Sequence, residues 1–171
     1  MRHILVLGGA RSGKSGFAER LAAECGEPVV YVATAVAGDD EMVERIALHR
    51  AQRPTSWRTL EIPTNLARQV SGAVGDTHAA TLLVEDLTLL LANLMAHDEA
   101  RAETRAVGEV NALLALDAHV VLVSNEVGMG VVPAYPLGRL FRDALGRLNQ
   151  AAAAACGEVY LLVAGLPLRL K

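Results

Sequence analysis

Short, largely apolar runs alternate along the chain with longer segments whose apolar residues recur every three or four positions. Ile4–Leu7, Val29–Val32, Thr81–Val84 and His119–Val123 read as strands. Runs this apolar, without polar alternation, are the pattern of strands covered on both faces. Lys14–Glu24 reads as a helix, with Phe17 and Leu21, and Ala18 and Ala22, stacked at i, i+4, and Gly26 as its stop. Asp39-Asp40-Glu41 opens another helix with acid in its first turn. Met42, Ile46 and then His49 or Arg50 continue it, and Pro54 ends it. Trp57–Ile62 is a further strand candidate and Thr64–Val74 a weaker helix. Leu87–His97, Asp98–Leu116 and Leu137–Cys156 read as helices, and Asn125–Pro136 is a Gly/Pro-rich loop. Val159–Val163 and Leu168–Leu170 read as an antiparallel pair around Gly165-Leu166-Pro167. This alternation predicts an α/β sandwich with a largely parallel sheet, whose ligands sit at the carboxyl ends of the strands. No repeat or linker interrupts the pattern, so residues 1–171 read as one domain.

Composition narrows the function classes. The 171 residues are 52% hydrophobic with a net charge of -3, which is globular and gives no electrostatic drive toward nucleic acid. Two Phe, three Tyr and one Trp are too few for base-stacking platforms. Cys25 and Cys156 form no C-x-x-C pair and read as reduced thiols. The apolar run at the amino terminus is too short for a signal peptide, and the run from Ala79 to Met95 carries Glu85 and Asp86 in its middle. The expectation is a cytoplasmic protein with no membrane span.

Gly8-Gly9-Ala10-Arg11-Ser12-Gly13-Lys14-Ser15 matches G-x-x-x-x-G-K-[ST] between a strand and a helix. Such a loop turns successive N–H groups toward phosphate oxygens at a helix amino end. Lys14 is then expected at the β- and γ-phosphates and Ser15 on Mg²⁺. A second acid is needed, and the strand Thr81–Val84 runs into Glu85 and Asp86. Strand alternation is not fixed by sequence; Glu85 is favoured for the metal or nucleotide, and Asp86 for capping the next helix or for the same site.

Glu41, Arg45 and His49 share one helix face, with Arg50 and Arg53 in the last turn. Cations there suit the helix dipole by themselves; beside a polyphosphate they would also make His49 a candidate nucleophile. Asn125 and Glu126 follow the strongest strand, either as ligand-crevice residues or as the start of a glycine turn. Arg139, Asp143 and Arg147, at i, i+4, i+8, read as a surface ion-pair ladder or as a cation for a neighbouring site.

GGARSGKS, then YVAT, DDEM-x-x-RI-x-x-H-R-x-x-RP-x-x-WRT-x-E, NEVG-M-G-VVP and FRD-x-x-GR-x-NQ together resemble one family nearly end to end, from Ile4 to about Leu162. It is the bifunctional adenosylcobinamide kinase / adenosylcobinamide-phosphate guanylyltransferase family of cobalamin biosynthesis. The resemblance implies a RecA-like P-loop fold and a homotrimer. It implies phosphorylation of adenosylcobinamide with ATP or GTP, then transfer of GMP from GTP through a guanylyl-histidine, with pyrophosphate released. The matching histidine is His49. Ala33, Thr34, Ala35, Arg50, Ala51, Gln52, Arg53, Glu61 and Glu85 match positions implied to contact GTP. Other members carry Asp where this chain has Glu85. Lys14 and Mg²⁺, held by Ser15 and Glu85, would serve both half-reactions, and Glu85 or Glu126 would take the acceptor proton. The competing readings are a guanylyltransferase-only member, another small-molecule P-loop kinase, and a RecA-like nucleotide switch.

Overall fold

The computed structural model describes residues 1–36, 54–74 and 80–171. In chain order the described elements are β1 (His3–Gly8), α1 (Lys14–Cys25), β2 (Val29–Ala33), β3 (Arg58–Glu61), α2 (Leu66–Val74), β4 (Thr81–Glu85), α3 (Leu87–His97), α4 (Ala102–Leu114), β5 (His119–Asn125), α5 (Pro136–Ala155), β6 (Glu158–Val163) and β7 (Leu166–Arg169). The strands form one sheet in the order β3-β2-β4-β5-β1-β6-β7. Every pairing is parallel except β6 with β7. This is the α/β architecture expected from the alternating pattern, with the antiparallel pair at the carboxyl-terminal edge.

The apolar runs are buried on both faces, as a parallel sheet between helices requires. Leu5, Val30, Leu82, Val120 and Leu122 meet one core with Leu66, Leu87, Leu90, Leu91, Val110, Leu113, Leu145 and Leu148 from α2–α5. Their neighbours Ile4, Tyr31, Leu83, Val121 and Val123 point the other way, onto Ala18, Leu21 and Ala22 of α1. The period-two alternation of strand side chains divides each apolar run between these two layers. Cys156 is buried and Cys25 half-buried, both as free thiols.

Two local expectations change. The turn of the antiparallel pair is Ala164-Gly165, with φ of 52° and 82°, so Leu166 and Pro167 belong to β7. Two residues at positive φ match the twist of a hairpin, and proline is tolerated because β7 is an edge strand. The ladder on α5 does not form. Arg147 pairs instead with Glu103 of α4 at 2.7 Å, Arg142 with Asp143 at 2.8 Å, and Arg139 donates to the main-chain oxygens of Pro133 and Ala134. For Arg147, packing against α4 brings the partner; Arg142 and Arg139 find theirs close by in the chain. The helix expected from Asp39 lies outside the described residues.

The amino edge of the sheet carries its own pair. Arg2 donates to both oxygens of Glu158, at 2.9 and 3.1 Å, and the Tyr160 hydroxyl donates to Glu158 Oε2 at 2.9 Å. The Arg2 guanidinium holds the Glu158 carboxyl below the ordinary glutamate range. A depressed carboxyl stabilises the fold above its unfolded pKa, and the gain is lost as pH falls through the folded value. Glu158→Gln is therefore expected to lose under about 1 kcal/mol at neutral pH, because the pair is partly exposed. That gap should close in denaturant titrations carried below the glutamate range.

Candidate functional site

The carboxyl ends of β1, β4 and β5 meet at one edge, and the phosphate-loop residues leave β1 there. Glu126 N–H donates to the Gly8 oxygen at 3.0 Å, tying the end of β5 to the start of the loop. Gly8 is required by close approach: a Cβ there would lie 2.6 Å from Ser12 Oγ and 2.7 Å from the Leu162 oxygen. Gly13 is required by conformation, at φ 92°. Arg11 takes the left-handed region as well, at φ 54°. The β6–β7 turn braces the far side, with Gly165 N–H donating to the Ser12 oxygen at 2.9 Å.

The loop ends at the amino terminus of α1. Among the described residues no side chain caps that terminus, and its first turn holds no acid. Its positive end is left for an anion, which is the arrangement phosphate binding uses. Lys14, 8% exposed, folds back so that Nζ donates to the Gly9 oxygen at 2.7 Å. Burial pulls its pKa down, while Asp86 and Glu85 oppose that shift.

The two adjacent acids separate cleanly. The Ser15 hydroxyl donates to Glu85 Oε1, and the Tyr31 hydroxyl donates to Glu85 Oε2 at 3.1 Å. Asp86 caps α3 by accepting the Leu89 N–H at 2.8 Å, and its other oxygen accepts from Asn125 Nδ2 at 3.1 Å. Burial pushes the Asp86 pKa up, against the opposing hydrogen bond from Leu89. So Glu85 faces the phosphate loop, and Asp86 is a cap held within Coulombic range of Lys14.

Ser15 and Glu85 place two hard oxygen donors together beside the uncapped helix end, and this donor set fits Mg²⁺. Among the described residues no group of three or more His, Cys, Asp or Glu gathers. A Mg²⁺ here would be completed by phosphate oxygens and water, as this ion usually is.

The register also groups three of the other expected residues. Ala33, at the end of β2, pairs with Glu61 on one side and Glu85 on the other. Glu61 is exposed, Thr34 buried and Ala35 half-buried. A single Thr34 hydroxyl serves Asp86 twice, accepting its N–H at 2.7 Å and donating to its oxygen at 2.8 Å. Glu126 accepts the Gly128 N–H at 2.7 Å, the turn alternative for that residue. His49, Arg50, Ala51, Gln52 and Arg53 lie outside the described residues.

The model of the cobinamide kinase / cobinamide phosphate guanyltransferase family matches residues 4–170. The chain belongs to that family. The bifunctional adenosylcobalamin biosynthesis protein CobP of Pseudomonas aeruginosa is 52% identical over 171 residues, covering 98% of this chain and 96% of that protein. The bifunctional adenosylcobalamin biosynthesis protein CobU of Escherichia coli is 41% identical over 182 residues, covering 98% and 99%. Two solved structures share the fold. A Pyrococcus horikoshii protein superposes with a TM-score of 0.60 at 8% identity, over 99% of this chain and 86% of that one. The RadB recombinase gives 0.50 at 16% identity, over 94% and 73%.

For this member of the kinase/guanyltransferase family, the sequence reading missed the groups that hold the site from behind. Tyr31 supports Glu85, and Asn93 Nδ2 donates to the oxygens of Thr34 at 2.8 Å and Pro63 at 3.1 Å. Their signal was a polar group inside a mostly apolar run, as Tyr31 in VVYVA and Asn93 in LTLLLANLMAH. Gly8→Ala tests the loop geometry. Overpacking against Ser12 and Leu162 should weaken GTP binding about tenfold or more, read by calorimetric titration, with the circular dichroism of the fold kept.

Proposed function

We propose that this chain carries out both reactions named for its family, on one domain spanning residues 1–171. In the first, the hydroxyl on the aminopropanol arm of adenosylcobinamide attacks the γ-phosphorus of ATP or GTP. A new O–P bond forms, the nucleoside diphosphate leaves, and the hydroxyl proton passes to a carboxylate. In the second, an imidazole nitrogen of His49 attacks the α-phosphorus of GTP and pyrophosphate leaves. The phosphate of adenosylcobinamide phosphate then displaces His49, giving adenosylcobinamide-GDP.

The observation that carries this reading is the Ser15–Glu85 hydrogen bond at the uncapped end of α1, with buried Lys14 alongside. These groups supply what phosphoryl transfer needs: a cation on the β/γ end and a metal-binding oxygen pair. Mg²⁺, when bound, offsets charge on the transferring phosphates. Glu85 or Glu126 takes the hydroxyl proton: Glu85 stands beside Ser15, and Glu126 has one oxygen on the Gly128 N–H. Ala33, Thr34, Ala35, Glu61 and Glu85 are assigned to GTP together with Arg50, Ala51, Gln52 and Arg53. The last four and His49 rest on the resemblance. Arg50 and Arg53 would offset charge building on the α-phosphate during transfer.

A homotrimer in the cytoplasm, without nucleic acid, completes the reading. No helix among the described residues is long and apolar enough to cross a membrane. Exposed Met129, Val131, Tyr135 and Leu137 supply apolar surface for a large corrinoid or a subunit contact.

The deciding experiment uses α-³²P-GTP with Mg²⁺, followed by denaturation. Wild type is expected to retain acid-labile label and His49→Ala to retain none, while phosphorylation of adenosylcobinamide persists in His49→Ala. Absence of label on wild type would leave the plain kinase or the nucleotide switch.

A further inference from the structure

Behind the acidic end of β4 the hydrogen bonds form one continuous chain that reaches α5. Asn149 lies well inside that helix, 5% exposed, on the buried face it shares with Leu145, Leu148 and Ala152. An amide in such a place costs free energy unless it is hydrogen-bonded. Its Nδ2 donates to the main-chain oxygen of Asn125 at 3.0 Å, while its Oδ1 has no partner among the described residues. Asn125 passes the chain on. Its Nδ2 donates to Asp86 Oδ2 at 3.1 Å and to Thr88 Oγ1 at 2.9 Å, and its N–H donates to the same Thr88 oxygen at 2.9 Å. The main chain of Asp86 is held by Thr34 on the other side. Glu85, which accepts from Ser15, is the preceding residue.

We propose that Asn149 and Asn125 are positioning residues that hold the carboxyl end of β4 where Glu85 meets Ser15. The inference rests on the reading of Glu85 and Ser15 as the cation-holding pair. The α3 cap uses only Asp86 Oδ1, so the Asn125 contact to Oδ2 is not needed for that helix end. What it adds is a fixed orientation of the acidic strand end relative to β5. Mg²⁺ demands near-ideal geometry at short distances, so a small displacement of Glu85 acts on the cation first. The triphosphate, held by loop amides and Lys14, is affected less.

Asn149→Leu keeps the branched side-chain shape, though with larger end groups, and removes the donor; Asn125→Ala removes the side-chain link to Asp86. Both are compared with wild type and Glu85→Gln. Mn²⁺ affinity is measured with one equivalent of GTP, from the electron paramagnetic resonance signal of free Mn²⁺, alongside kcat, KM for GTP and thermal unfolding. Both asparagine variants are expected to bind Mn²⁺ about tenfold more weakly and to lose a similar factor in kcat. KM for GTP should move less than about twofold. Should Asn149→Leu fail to fold, Asn125→Ala carries the same expectation. Unchanged Mn²⁺ affinity in folded asparagine variants, with Glu85→Gln weakened, overturns the inference and leaves them a structural role. Unchanged affinity in Glu85→Gln overturns the underlying reading of Glu85 instead.

Discussion

The contact on which the site depends is a hydroxyl meeting a carboxylate across three strands. Ser15 belongs to the helix that follows β1, and Glu85 ends β4, with β5 lying between those strands. They meet because all three strands run the same way and their carboxyl ends align in register. That alignment is set by burial: a strand apolar on both faces is stable only between two helical layers. A slip of one residue in β4 would send Glu85 to the opposite face of the sheet. The large core is therefore what holds two polar groups a hydrogen bond apart.

Adjacent acids in similar covalent surroundings acquire different tasks from their environment. Glu85 keeps a face toward the phosphate loop and is steadied by the Tyr31 hydroxyl. Asp86 is drawn into the protein, where burial raises its pKa and hydrogen bonds to its ionised form oppose the rise. The same low-dielectric setting lowers the pKa of Lys14, and the two acids counter it. Lys14 and the Glu85 carboxylate are thus held in place by the fold, the kind of fixed arrangement that electrostatic stabilisation uses.

The carboxyl-terminal hairpin adds a brace on the opposite side. The Ala164-Gly165 turn lies against the loop, close enough that a Cβ on Gly13 would sit 3.2 Å from Gly165 Cα. The loop is therefore confined between β5, through Glu126, and the β6–β7 turn, through Gly165. Both contacts are made by main-chain groups.

The alternation of apolar runs with helical spacing was enough, by itself, to determine the α/β class, the parallel core and the antiparallel pair, because burial on two faces leaves a periodic mark in the chain. The phosphate loop was equally legible, since its glycines and lysine are set by local geometry and chemistry. The family was legible from its ordered motifs. Only the tertiary structure decided which of Glu85 and Asp86 faces the loop, and that Arg147 pairs with Glu103 rather than along its helix. It also brought Tyr31, Asn93, Asn125 and Asn149, distant in sequence, to the back of one strand end. Such choices depend on hydrogen-bond partners far along the chain, and periodicity carries no information about a partner that packing has yet to bring near.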